Sequence, residues 1–488
     1  MRSPACKVLL PLLAALVFGL GALAQEATSV TAVQGKMDLD GVLKVFCAPE
    51  QRVRILIETD AGGDPDDEQS LVRFLLYANE WDVEGIIANR PTARDKENLN
   101  VERNGLGIVQ AQLKAYAQCY PHLAQHDPRY PRPEQLWQRT VAGYEDRDEG
   151  VNLIRAAIDH PDLRPVWFCN WGTDQGSASS NLKRALDRVL RERGPAGYAQ
   201  AKKRLRLSSA DAFGQHTSQI DPPWPLWVDT FRPELAGRRW YHRFSALSAT
   251  AGGFDLERDV RTGHGPLGAL YPTNTAPRQK EGDTMSFLYL VPTGMNNPDH
   301  PGWGSWAGRY GRDESSSCPS YYWANQADGW NGTTNRDNTL ARWAVDLQND
   351  FRARMDWCTK DFSAANHAPR VVVNGHPGNG ILHVEIPPSV PGSVVPPTTI
   401  ELSTVGSSDT DGGPLEYEWW VYPEAGTYPV RGAMLENATS PVATVHVPPD
   451  LGAREVHVLV TVRNHGTPPL ARYRRVIITR AASKLSSQ

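Results

Sequence analysis

The amino-acid sequence predicts an α/β domain with a mostly parallel sheet flanked by helices, followed by an all-β immunoglobulin-like sandwich, and three observations carry that prediction. Apolar, β-branched runs alternate with helically patterned segments from residue 52 to residue 193. From residue 370 the texture changes to short alternating segments divided by Gly, Pro, Asp and Asn. The length, 488 residues, suits two or three domains with large cores. Strand–helix alternation packs helices on both faces of a parallel sheet, whereas closely spaced short strands with turn signals pair into a sandwich.

Taken in order, Arg2 and Lys7 precede an apolar run from Val8 to Leu20, and Ala22-Leu23-Ala24 offers the small-residue pattern of a cleavage site. Residues 1–24 therefore read as a signal peptide, and the run, interrupted by Pro11, is short for a membrane span. The expected destination is secreted or periplasmic, with no membrane association after cleavage. Arg52 to Glu58 predicts a strand that ends in an acidic, Gly-rich loop, and Leu71, Phe74 and Leu75 predict a helix over 69–78. A strand over 83–88, helices over 101–116 and 151–158, a strand over 166–170 and a helix over 181–193 follow. Leu340, Trp343, Leu347, Phe351 and Met355 share one face of a helix over 339–360, which closes a domain spanning 50–362.

The sandwich is expected over 370–482, with seven strands opening near residues 370, 382, 399, 415, 442, 455 and 472. With Tyr417, Trp419 and Trp420 it has the makings of a core that folds alone. Asp409-Thr410-Asp411-Gly412 reads either as a calcium loop or as a hairpin turn, and the turn is favoured.

Lys and Arg number 51 against 55 Asp and Glu, a formal net charge of −4 without long single-sign runs, which argues against a nucleic-acid polymer as partner. The 15 Trp and 16 Tyr are numerous, and such rings serve both cores and sugar-stacking faces. Cleavage of the leader removes Cys6 and leaves Cys47, Cys119, Cys169, Cys318 and Cys358, an odd set with no CxxC pair for structural zinc. Cys318 with Cys358 is the candidate bridge.

The strongest chemical signal is Thr59-Asp60-Ala61-Gly62-Gly63-Asp64-Pro65-Asp66-Asp67-Glu68, with five acids in nine residues between a strand and a helix. Helix capping uses one or two acids. Five repel one another unless a cation neutralises them, and hard oxygen ligands without His or Cys select calcium or magnesium.

This strand-TDxG…DD-helix arrangement resembles the calcium signature of the nucleoside hydrolases, although two extra residues separate Asp60 from the Asp66-Asp67 pair. Longer stretches, His264-Gly265-Pro266-Leu267-Gly268, Glu281-Gly282-Asp283-Thr284-Met285-Ser286 and Asp299-His300-Pro301-Gly302-Trp303-Gly304, resemble a secreted branch of that superfamily named for cellulose binding, and Leu415 to Tyr428 resembles its C-terminal domain. The resemblance implies a calcium-dependent hydrolase of N-glycosidic or glycosidic bonds. Under it, Asp60 touches calcium and accepts the proton of the attacking water, Asp67 and Asp283 are further calcium ligands, Asp66 holds a sugar hydroxyl, and Asn89 lies near the sugar. A carbonyl ligand is expected after Trp171-Gly172, at Ser180.

Family enzymes that cleave purine or uridine ribosides carry His directly before the last calcium Asp, where this chain has Gly282. By proximity in sequence, His264 and Glu281 become the candidates for the leaving-group acid. Trp303 and Trp306 head an aromatic-rich stretch without strand or helix period, which suits either sugar stacking or packing. A second reading stands beside the enzyme: a non-catalytic cellulose- or cell-wall polysaccharide-binding protein. The expected ligand is a small glycoside in the first case and a polysaccharide in the second.

Overall fold

The computed structural model describes residues 36–39, 42–46, 52–172, 180–210, 220, 223–230, 249–315, 317–388, 398–430 and 434–482, so the expected leader and Cys47 lie outside the described residues. Among the described residues no helix is long and apolar enough to cross a membrane.

Two short strands, β1 (Lys36–Met37) and β2 (Leu43–Val45), precede the α/β domain. Its strands are β3 (Arg54–Thr59), β4 (Asp82–Ala88), β5 (Thr140–Ala142), β6 (Val166–Asn170), β7 (Leu205–Ser209), β8 (Trp227–Asp229), β9 (Gly311–Arg312) and β10 (Tyr321–Trp323). They pair in the order β5-β4-β3-β6-β7-β8-β10-β9, and every neighbouring pair is parallel except β10 with β9. The chain steps outward from β3 to β5 and then returns to place β6 on the other flank of β3. That reversal opens a crevice at the carboxyl ends of β3 and β6, where open α/β sheets take their ligands.

The helices are α1 (Asp66–Leu76), α2 (Gly105–His126), α3 (Pro133–Gln138), α4 (Glu149–Asp159) and α5 (Asn181–Lys203). Side chains of β3 alternate between two cores: Ile55 and Ile57 pack with α1 and α2, Leu56 with α4 and α5. Helix α1 begins at Asp66 rather than at the predicted residue 69, so Asp66, Asp67 and Glu68 form its first turn, where the helix dipole favours negative charge. Every residue of α1 is buried, because the helix lies between the sheet and a later layer in which Phe287 meets Phe74 edge-on. Strands β7 and β8 went unpredicted, since Leu205 and Leu207 between arginines are too brief a pattern. The predicted 339–360 helix is two pieces, Asn338–Ala341 and Ala344–Asp356.

After two hairpins, β11 (Asp328–Trp330) with β12 (Thr333–Asn335) and β13 (Val372–Val373) with β14 (His376–Pro377), come β15 (Leu382–Ile386), β16 (Thr398–Ser403), β17 (Leu415–Val421), β18 (Leu435–Glu436), β19 (Val442–Val447), β20 (Val456–Asn464) and β21 (Ala471–Arg480). They form two sheets, β1-β16-β19-β18 and β17-β20-β21-β15-β2. The expected bounds of 370–482 are thereby corrected: the N-terminal strands β1 and β2 hydrogen-bond to β16 and β15 and belong to the sandwich. Independence is corrected too, because Tyr422, Leu459, Ala471 and Tyr473 share one apolar core with β3 and α1.

Polar contacts lock the same joint. Asp346 accepts from the Tyr473 hydroxyl at 2.5 Å and from Arg463 at 2.8 Å, and Asp350 takes Arg472 at 2.7 Å. Fully buried Arg475 donates to the carbonyls of Met295 at 2.6 Å and Trp303 at 2.7 Å. The Asp409–Gly412 segment is a turn: Asp409 accepts the Gly413 amide, and Asp411 is committed to His367 at 2.8 Å.

Candidate functional site

Strand β3 ends at Thr59, and the Asp60–Pro65 loop crosses the sheet reversal before α1 begins. Arg90, just past β4, clamps Asp60, its guanidinium donating to Oδ2 at 2.7 Å and to the Asp60 carbonyl at 3.0 Å. The other carboxylate oxygen lies against the end of β6: a Cβ at Gly172 would stand 2.4 Å from Asp60 Oδ1, so only glycine admits this approach. Asp67 accepts the Thr59 hydroxyl. Lys280, delivered by the segment before Asp283, pairs with Asp64 and lies 3.2 Å from Asp66.

Five carboxylates thus share one pocket of charge. One carboxylate oxygen from each of Asp64, Asp66 and Asp67 lies within 4.8 Å of the others. Burial, followed by the charge of Asp283, raises Asp66 and Asp67 well above the usual carboxylate range. Burial, followed by the charges of Asp60 and Asp64, does the same to Asp283. Asp60 is also raised by burial, against the pull of Arg90. Asp283 Oδ2 is buried and has no hydrogen-bond partner among the described residues. Mutual repulsion, a hard-oxygen donor set and an orphaned buried oxygen together suit a divalent cation such as calcium.

A second layer orients this cluster. Glu58 accepts from Asn89 at 3.2 Å and from Asn181 at 2.8 Å, and burial lifts it to about 7. Asn89 also donates to the Gly172 carbonyl at 2.9 Å, tying the ends of β4 and β6 together beside Asp60. Glu68 turns back into its own loop, accepting from the Gly62 amide at 3.0 Å and from Asn98 at 2.6 Å.

Four expectations are corrected. Glu281 is fully buried and accepts from Arg73 at 2.5 and 3.0 Å, Tyr271 at 2.7 Å, Gln279 at 2.8 Å and Thr284 at 2.8 Å, so its oxygens serve the fold and face no substrate. His264 meets the Arg258 carbonyl at 2.9 Å and Asp356 at 3.4 Å, docking a turn against the Ala344–Asp356 helix. Trp303 and Trp306 are buried at the joint between the two domains, Trp303 stacked on His300 and Trp306 donating to Tyr473. The expected Cys318–Cys358 bridge does not form, because the two residues lie in different cores, Cys318 beside Trp224 and Cys358 beside Cys119. Ser180 caps α5, accepting the Lys183 amide at 3.0 Å, and residues 173–179 before it lie outside the described residues.

Residues 54–310 match the family described as cellulose-binding Sde182, nucleoside hydrolase-like domain, and residues 399–480 match the C-terminal domain of cellulose-binding protein Sde0182. The chain belongs to the Sde182 nucleoside hydrolase-like family. A nucleoside hydrolase-related hypothetical protein from Saccharophagus degradans, associated with carbohydrate metabolism, is similar at 30% identity, covering 88% of this chain and 100% of its own with a TM-score of 0.67. The PKD domain from the KIAA 1837 protein matches at 25% identity over 21% of this chain and 87% of its own, with a TM-score of 0.15. No curated protein matches.

Sequence reasoning overlooked three members of this Sde182-family site: Arg90, Lys280 and Asn181. Arg90 directly follows Asn89, and Lys280 stands three residues before Asp283, so cations next to expected ligands were the available signal.

Proposed function

We propose that this protein is an exported, calcium-dependent hydrolase of N-glycosidic or glycosidic bonds, with its reaction centre at the acid cluster. The observation that carries this reading is the convergence of Asp60, Asp64, Asp66, Asp67 and Asp283 at the sheet reversal, with Asp283 Oδ2 left without a partner among the described residues. Asp60, Asp67 and Asp283 would hold the ion. When bound, calcium supplies charge neutralisation and Lewis-acid activation of water.

The protein's own groups account for the rest. Asp60, fixed at Oδ2 by Arg90, presents Oδ1 beside Gly172 as the proton acceptor. Asn89 and Glu58 hold the neighbouring strand ends in place, and Asp66 with Lys280 offers adjacent acceptor and donor groups for sugar hydroxyls. Neither Glu281 nor His264 is free to protonate a leaving group, which favours substrates whose leaving group departs as a stable anion.

The family's name favours a second reading, polysaccharide adhesion without turnover. A hydrolysis screen over nucleosides and aryl glycosides, with and without chelator, beside a cellulose pull-down, tests both. Chelator-sensitive turnover supports the enzyme; adhesion with no turnover of any substrate supports the binding protein.

A further inference from the structure

Cys119 lies in α2 and Cys358 just beyond the Ala344–Asp356 helix, far apart in sequence and both buried. Gly265, whose φ of +76° would strain other residues, packs over both: a Cβ at that position would stand 3.3 Å from Cys119 Sγ and 3.8 Å from Cys358 Cβ. The two thiols interact directly, and the neighbouring Cys358 holds the Cys119 thiol below its ordinary value. The other described cysteines are engaged elsewhere, Cys169 with the Ser286 carbonyl at 3.8 Å and Cys318 with the Trp224 amide at 3.5 Å. Neither histidine nor carboxylate joins the Cys119–Cys358 contact to make a metal site among the described residues.

We infer that Cys119 and Cys358 form a disulfide that staples α2 to the closing helix when the protein folds in an oxidising compartment. The oxidant is a small or protein disulfide donor. One cysteine thiolate attacks a donor sulfur and expels one donor thiol. The second thiolate then attacks the mixed disulfide at the cysteine sulfur and expels the other, so two protein thiols are oxidised and one donor disulfide is reduced to two thiols. Burial of both sulfurs means that the bond closes during folding rather than afterwards. Because the bridge closes a long loop, it restricts the unfolded chain strongly.

The test is disulfide mapping of the full chain, either exported to an oxidising compartment or refolded from the reduced state in a glutathione buffer. The expected result is a linked pair of peptides carrying Cys119 and Cys358, lighter than the separate thiol peptides by two hydrogen atoms, with Cys169 alkylated after unfolding without reductant. Cys119→Ser and Cys358→Ser should each melt several degrees below the wild type, and reductant should bring the wild type down toward them; a purely packing role would leave that gap unchanged. Alkylation of both Cys119 and Cys358 in the unfolded, non-reduced wild type, or linkage of either to another cysteine, overturns the inference.

Discussion

His126 Nδ1 and His367 Nε2 lie 2.9 Å apart, and each ring reaches onward, His126 to the Lys360 carbonyl at 2.8 Å and His367 to Asp411 at 2.8 Å. This chain of contacts rivets α2 to the sandwich through the His367–Asp411 pair. Asp411 also accepts the His367 amide at 2.7 Å, so Asp411→Ala would leave both the amide and the ring nitrogen of His367 without this partner. The expected loss is about 1–3 kcal/mol of stability in denaturant melts, and an unchanged midpoint would refute the rivet.

The acid side of the pH profile follows from burial. His126 and His457 are each pushed down to about 4, chiefly by burial, from an unfolded value near 6.5. A histidine with a depressed folded pKa stabilises the protein above its unfolded pKa, and that contribution is lost as pH falls toward its folded pKa. The melting midpoint should therefore drop between pH ~6.5 and ~4, and His126→Gln should drop less steeply over that window. Equal slopes in the two proteins would remove His126 as a source.

Expressed alone, residues 370–482 would lack β1 and β2 and would bare Tyr422, Leu459, Tyr473 and Arg475 to water. The fragment is expected to show no cooperative unfolding, while the whole chain melts as one unit. A sharp, reversible transition in the fragment would contradict the shared core.

How much of this was legible in the sequence depended on range. The β3–loop–α1 unit could be read because its signals are local: an apolar run, clustered acids, then helical spacing. Glu281 misled because nearness to Asp283 along the chain says nothing of direction, and a φ of +43 at Glu281 turns the backbone into the left-handed region. Its partner Arg73 lies on α1, a pairing that no local pattern encodes. Trp303 and Trp306 belong to a period-free stretch that reads as surface, yet a sheet of the sandwich covers them. Lys280 stood beside an expected ligand, but only the fold brings its ammonium to Asp64 and Asp66.

Lys280 pairs with Asp64 and Asp66, beside the carboxylates proposed to hold calcium, so its positive charge opposes the ion if it binds here. Asp67→Ala and Asp283→Asn should abolish measurable calcium binding by calorimetry, because each removes an anionic oxygen from a set with few alternatives. Lys280→Gln should instead tighten binding about tenfold, the equivalent of ~1.4 kcal/mol for removing one neighbouring positive charge. Weaker binding in Lys280→Gln would mean that the ammonium organises the ligands rather than competing with the ion. Chelation should lower the melting midpoint of the wild type, and no response to calcium or chelator in any variant would leave the acid cluster without a metal.

The roles of Asp60 and Glu281 separate cleanly in kinetics. Glu281→Gln leaves Arg73 buried beside a neutral partner, so about 3–5 kcal/mol of stability should be lost, with turnover per folded molecule unchanged. Asp60→Asn should keep the fold, since Arg90 can still donate to the remaining carbonyl oxygens, yet abolish turnover on every substrate. With Glu281 and His264 both engaged by the fold, a nucleoside is expected to expel its base as an anion, and forgoing general acid catalysis costs about 10²–10⁴-fold in rate. A nitrophenyl riboside, whose leaving group is stable as an anion, escapes that cost and should be cleaved faster than inosine by a factor of the same order. Comparable rates on the two substrates would show that a group other than Glu281 or His264 delivers the proton, with Glu58, lifted to about 7 by burial, the first to mutate.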